Sequence, residues 1–274
     1  QRAVAMSAPV RMDAVTKPLS AEGEPDAEDD GLGFAGWAGV EGTETGALAA
    51  LRALPAETVV AGTGLMTEPV APASGPMVDG VLVAGADSVL KLGGQASVPV
   101  MAGAVSDDIG FGPPLDPEAL FAEYPDPEAA RAAYGDLVER PDALLKAAYE
   151  DRLMQEPARF LVEAQCAAGE AGYSYRYGYV PVPKRGEWTG MPHANEIPFF
   201  LNTAEAKYGD RLTEEDRQAA ETVSAYLINF VKSDDPNGES LPAWPACSAG
   251  GEGIMMFSNS GAAFVEDPLK ARLD

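Results

Sequence analysis

One stretch constrains the architecture more than any other. Val98-Pro99-Val100-Met101-Ala102-Gly103-Ala104-Val105 is an unbroken apolar run with β-branched residues. That is the pattern of a parallel strand buried on both faces, not of a strand with one wet side. Such a strand needs helices packed on its sheet, so the fold class reads as α/β. The run ends in Ser106-Asp107-Asp108, which sets two acids just past the strand's C-terminal end. Open α/β sheets place their ligand sites at that edge.

Other segments fit the same plan. Gln1–Val10 reads as a strand with its turn, and 46–54 as a short amphipathic helix carrying Leu48, Leu51 and Leu54. A turn feeds a short strand over 77–83. Helical segments are predicted near 127–134, 141–152 and 156–168, the last stopped by Gly169. Tyr173-Ser174-Tyr175-Arg176-Tyr177-Gly178-Tyr179 alternates with a period of two, a strand with its tyrosines on one face, where packing is the simplest role for them. Thr213 can cap a long helix with Asp216 in a near capping box, and its buried stripe would be Ala219, Val223, Tyr226, Leu227 and Phe230. Two short strands, 254–258 and 262–266, follow. From 11 to about 45 the chain is acidic and rich in Gly and Pro, and reads as an exposed excursion rather than an element.

Charge and cysteine usage exclude several partners. Nineteen basic against 43 acidic residues give a net charge of −24, a surface that repels nucleic acid and anionic membranes. No apolar run is long enough to span a bilayer. Cys166 and Cys247 have no metal-ligand spacing. Cys166 sits in an apolar helical stretch where a thiol acts as a small hydrophobe, so a disulfide between the two is not favoured. One histidine and no cysteine cluster leave no metal site to expect.

That one histidine, His193, lies in Met191-Pro192-His193-Ala194-Asn195-Glu196-Ile197-Pro198-Phe199-Phe200. An imidazole in a Pro-bounded loop is a candidate general base, although a lone histidine is as readily a surface or core residue. Asp108 precedes it in the order that acid and base take in α/β hydrolases. Trp188, Met191, Phe199 and Phe200 flank His193 and are candidates to line an apolar acyl or alcohol pocket, with a core role as the alternative.

The His193 segment, with Glu-Ile-Pro-Phe at 196–199, resembles the base-bearing segment of type-B carboxylesterases. Val98 to Asp108 resembles the strand of that family that runs into an acidic pair. The second member of the pair, usually Glu, is the triad acid; here it is Asp108, with Asp107 as the alternative. Leu51-Arg52-Ala53-Leu54-Pro55-Ala56-Glu57, Gly75-Pro76-Met77-Val78-Asp79-Gly80 and Asp235-Pro236-Asn237-Gly238 with Leu241-Pro242-Ala243-Trp244-Pro245 resemble further family motifs. The likeness is interrupted mainly at 20–42.

The resemblance implies that 1–274 is the C-terminal portion of a single α/β-hydrolase domain, a mostly parallel sheet with flanking helices. In it, 11–45 is an acidic excursion and 113–170 a helical region near the site entrance. It implies ester hydrolysis through an acyl-serine, with His193 as base, Asp108 orienting it and Glu196 holding the loop. No cofactor is implied, and an exported location is favoured. Nowhere does Gly-x-Ser-x-Gly occur. Gln1 to Ser7 resembles the stretch that follows the helix after the nucleophile elbow, at a position where Ser7 is not the nucleophile. The serine and oxyanion loop are therefore expected in an N-terminal half upstream of Gln1, which would be the partner of this chain beside a small ester. A non-catalytic, cholinesterase-like binding or adhesion protein and a self-standing small domain are the competing expectations.

Overall fold

The computed structural model describes residues 1–9, 11, 16–24, 26–60, 75–81, 83, 86–110, 112–247 and 253–274, with backbone alone at 86–88. Its strands, in chain order, are β1 (Ala3–Met6), β2 (Lys17–Pro18), β3 (Met77–Val78), β4 (Val100–Val105), β5 (Gly172–Tyr177), β6 (Ile254–Ser258) and β7 (Gly261–Val265). The chain divides into two compact units: Gln1–Val10 with Leu90–Asp274, and Arg11–Val89. The segment set apart from the main unit is thus longer than the 11–45 that the sequence marked out.

The main unit carries a five-stranded sheet in the order β1-β4-β5-β6-β7. All pairings are parallel except the terminal β6–β7 hairpin. This is the mostly parallel, helix-flanked sheet expected of an α/β hydrolase. Every residue of β4 is buried, as its unbroken apolar run requires. Its two faces serve two cores. Met101 and Val105 join the large core with the tyrosines, while Val100 and Ala102 face the helix Glu156–Ala167 through Val162. Gly103 between them is required, because a Cβ there would stand 2.2 Å from the backbone oxygen of Tyr175.

The large core is aromatic. Tyr173, Tyr175, Tyr177 and Tyr179 are all buried against the long helix Glu214–Ser233 and the segment after His193. That helix begins with the capping box expected of Thr213 and Asp216, which satisfies amides that would otherwise have no partner. It ends at Asp234, whose φ of 66° is left-handed. Beyond it, the Asn237 amide accepts from the Trp244 backbone N–H at 2.6 Å and donates to the Trp244 carbonyl at 2.9 Å. Trp244 is thereby pinned edge-on to Tyr173, Tyr175, Tyr226 and Phe257. The short motif at 235–245 is a device for seating one indole in the core.

A smaller core holds the helical region together. Leu120, Phe121, Tyr134, Leu144 and Ala148 come from the helices Pro117–Ala122, Pro127–Tyr134 and Pro141–Glu150. The helix Pro117–Ala122 was not expected; Asp116 caps it and Pro117 opens it. One wide turn, Asp151–Gln155, joins 141–150 to 156–167.

Three expectations are corrected. The acidic excursion contains a helix, Ala27–Trp37, capped by Asp26 with Glu28, Asp29 and Asp30 in its first turn. Acids there complement the helix dipole, so the charge run that looked like solvated loop is a helix start. Over 77–83, where a turn was expected to feed a short strand, the strand among the described residues is Met77–Val78, at the start of the range and paired with β2; Leu82 lies outside the described residues. The third correction is covalent: Cys166 and Cys247 form a disulfide. The helix 156–167 and the segment before β6 meet on one face of the sheet, with the two Cα atoms 6.1 Å apart. A separation of 81 residues hid this from the sequence.

Closing a loop of that length constrains the unfolded chain by about 4–5 kcal/mol on the chain-entropy account. Replacing both cysteines with serine is predicted to lower the unfolding free energy by about 2–4 kcal/mol in urea titrations. An unchanged midpoint would show that the cystine contributes nothing.

Candidate active site

The site grows from neighbouring C-terminal strand ends. Met6 of β1 pairs with Gly103 of β4, so the residues that leave these strands emerge side by side. Ser7 follows β1, and Ser106-Asp107-Asp108 follow β4. The His193 loop is stitched to this edge by backbone contacts. Met191 donates to the Ser106 hydroxyl at 2.9 Å, the Asp107 amide donates to the Met191 carbonyl at 3.0 Å, and Asp107 and Pro192 form a parallel bridge. Gly190 packs against Ser106 and Asp107 so closely that a Cβ would clash. Ala194, at φ 61°, turns the loop just after His193.

These constraints bring His193 Nδ1 to 2.6 Å from Asp108 Oδ1. The Asp108 side chain is fully covered, whereas 34% of the His193 side chain stays exposed. Three further donors hold Asp108. Ile109 N–H reaches Oδ1 at 2.8 Å, while the Ser7 hydroxyl at 2.6 Å and Val105 N–H at 3.2 Å reach Oδ2. A carboxyl group with this many donors is fixed in orientation. Nδ1 faces the acid, so Nε2 is the ring nitrogen left to exchange a proton, and no described residue bonds to it.

Of the adjacent acids, only Asp108 touches His193. Asp107 is ion-paired with Lys146 of the helical region, which also holds Glu150. Burial pushes the Glu150 carboxyl up, against the pull of Lys146. This pair ties the helical region to the acid loop. Met191, Phe199 and Phe200 are completely or almost completely buried in the aromatic core, where they have no surface to offer a ligand. Trp188 is half-buried, with the Lys184 ammonium 5.4 Å above its ring.

Glu196, 1% exposed, lies in the same loop and opens the short helix Ile197–Phe200. Sequence reasoning missed the bond from Ser7 to Asp108. The available signal was topological: residues that follow adjacent parallel strands meet at the sheet's C-terminal edge. Among the described residues, no three of His, Cys, Asp and Glu converge as a metal site, and no helix is long and apolar enough to cross a membrane.

A mostly parallel sheet that presents an acid-to-imidazole pair at its C-terminal edge defines an α/β-hydrolase type of site. The carboxylesterase family profile matches residues 118–271, more than half of the sequence, and the chain belongs to that family. His193 lies within the match and Asp108 ahead of it. Human cocaine esterase is 26% identical over 140 residues, covering 48% of this chain and 23% of that protein. Mouse carboxylesterase 1C is 33% identical over 92 residues, 32% of this chain and 16% of its own length. Rabbit liver carboxylesterase 1 is 37% identical over 82 residues, covering 29% and 14%. The chain thus matches less than a quarter of the length of these relatives.

Ser7→Ala, which removes a buried donor to a charged acceptor, is predicted to cost about 1–3 kcal/mol of stability by urea unfolding. Asp107→Asn, at a partly exposed ion pair, should change it by no more than about 1 kcal/mol. The reverse ranking would mean that Asp107, not Asp108, anchors the edge.

Proposed function

We propose that this chain supplies the base and the orienting acid of a carboxylic ester hydrolase that works through an acyl-serine. Support comes chiefly from the 2.6 Å contact of His193 Nδ1 with a fully covered Asp108, with the rest of the imidazole open to solvent. Carboxylesterase and cocaine esterase among the names of its relatives point to the same chemistry.

In this reading a serine hydroxyl from a segment outside the 274 residues attacks the ester carbonyl, and Nε2 of His193 takes its proton. The tetrahedral intermediate expels the alcohol, which leaves with the proton returned by His193. Water then attacks the acyl-serine by the same relay, releasing the acid and the free serine. Asp108 holds the tautomer with Nε2 unprotonated at rest and stabilises the imidazolium once it forms. The oxyanion amides come with the serine. The outer edge of β1 suits a partner strand: it ends the sheet, and its residues are only half-buried or exposed. The helical region 113–170 borders the entrance, linked through Lys146 to Asp107. Of the four flanking apolar residues, Trp188 is the one with surface left for an ester's hydrocarbon.

The test is to co-express this chain with the serine-bearing segment of its gene and follow p-nitrophenyl butyrate hydrolysis. His193→Ala should lower kcat by about 10⁴-fold or more, and Asp108→Asn by about 10²–10⁴-fold. Asp107→Asn should stay within about threefold, as expected of a group acting only through loop position. Full activity in His193→Ala would overturn the assignment and favour a binding role for the chain.

A further inference from the structure

Both cysteines of the chain are spent on one bridge, and the two sulfurs have unlike surroundings. A cavity of about 550 Å³ lies beside the helix Glu156–Ala167, floored by the small side chains of Ala102, Ala104 and Ser174. Cys247 is on its wall and Cys166 is not. Cys166 sits in the last turn of that helix, which carries no basic residue. Another side of the bond is closed by β5. A Cβ on Gly172 would stand 2.7 Å from Cys247 Sγ and 2.8 Å from Cys166 Sγ.

A thiolate opens a disulfide by attacking one sulfur from the side opposite the other, and a mixed disulfide forms. A reagent in the cavity therefore meets Cys247. The leaving group is Cys166, at the C-terminal end of a helix, where the dipole disfavours an anion. Such a thiolate takes up a proton, and the resulting thiol is slow to attack back, so the adduct persists. Charge selects the reagent. Arg159 and Arg176 on the cavity wall are ion-paired with Asp274 and Asp267. Lys270, on the same wall, has no acid partner among the described residues, and its ammonium is left to steady an incoming thiolate. Glu163 and Glu266 line the cavity too, and the chain carries 43 acidic against 19 basic residues. Any further negative charge on the reagent is repelled.

We propose that Cys247 is a thiol-exchange site, where a small thiol that carries no acid group is taken up as a mixed disulfide. The thiolate attacks Cys247 Sγ and the bond to Cys166 Sγ breaks. Cys166 leaves with the electron pair and takes a proton from water. One disulfide replaces another, so no oxidant is needed and the thiol is the only reagent consumed. The exchange frees the helix Glu156–Ala167 from the segment before β6. Gln155, just ahead of that helix, donates to the Val105 carbonyl at 2.8 Å. Val105 ends β4 where the acid loop begins, so the freed helix is the one that reaches the site.

The experiment treats the oxidised full 274-residue chain with cysteamine, once folded and once in denaturing urea. Early samples are quenched in acid, their free thiols alkylated, and both cysteines located by mass spectrometry of proteolytic fragments. In the folded chain cysteamine should sit on Cys247 and the alkyl group on Cys166, by about tenfold or more over the reverse, and in urea the bias should vanish. Adduct on Cys166, an even split in the folded chain, or reaction in urea alone would overturn the proposal. Glutathione, which carries two carboxylates, should add to the folded chain more slowly than cysteamine at low salt, and the gap should narrow at high salt. Faster addition of glutathione would contradict the selection by charge. Lys270→Met should slow cysteamine addition to the folded chain by about threefold or more and leave the rate in urea unchanged. An equal rate in the folded variant would contradict the part given to the ammonium.

Discussion

The covered carboxylate of Asp108 is the interaction on which the rest of this site depends. It gathers the residue after β1, the loop after β4 and the His193 loop around one charge. Burying a carboxylate is costly unless donors replace its water, and here four of them do. The geometry follows from that requirement. Ser7 must sit at the end of an adjacent parallel strand, and the His193 loop must be stitched to β4 by its own backbone. Removing any one donor exposes the others to a charge they no longer fully satisfy.

The aromatic core makes this arrangement rigid. Phe199 and Phe200, six and seven residues past His193, are locked between Tyr175, Tyr177 and Phe257. Trp244, held by Asn237, closes the same cluster from the other side. The loop that carries the imidazole therefore hangs from a packed anchor, with little freedom for the ring to leave Asp108. Glu196, buried in the same loop, opens the anchoring helix.

Much of the framework was legible because the local physics was unambiguous. A doubly buried parallel strand has no polar face, so Val98 to Val105 could be read as one. The period of two at 173–179 put its tyrosines on one side, where they are all buried. The capping box at Thr213 also follows from short-range pattern, whereas the choice of Asp108 as partner of His193 came from the family resemblance, with Asp107 left open. What escaped notice was non-local. Nothing in the spacing of Cys166 and Cys247 shows that a helix end and a pre-strand segment share a face, and nothing near Ser7 announces a partner 101 residues away. The helix Ala27–Trp37 was hidden for another reason: acids that usually mark solvated loop also stabilise a helix N-terminus. Met191, Phe199 and Phe200 show the converse ambiguity, since apolar residues beside a polar group serve a core as readily as a pocket.

The central claim is that Asp108 and His193 are joined through Nδ1 within this chain, before any nucleophile arrives. Having a single histidine makes a direct measurement unambiguous: the far-downfield proton spectrum of the isolated full chain at low temperature. The account predicts one strongly deshielded imidazole Nδ1–H resonance that persists in Asp107→Asn and vanishes in Asp108→Ala. A spectrum without that resonance, or one in which it survives the loss of Asp108, would contradict it.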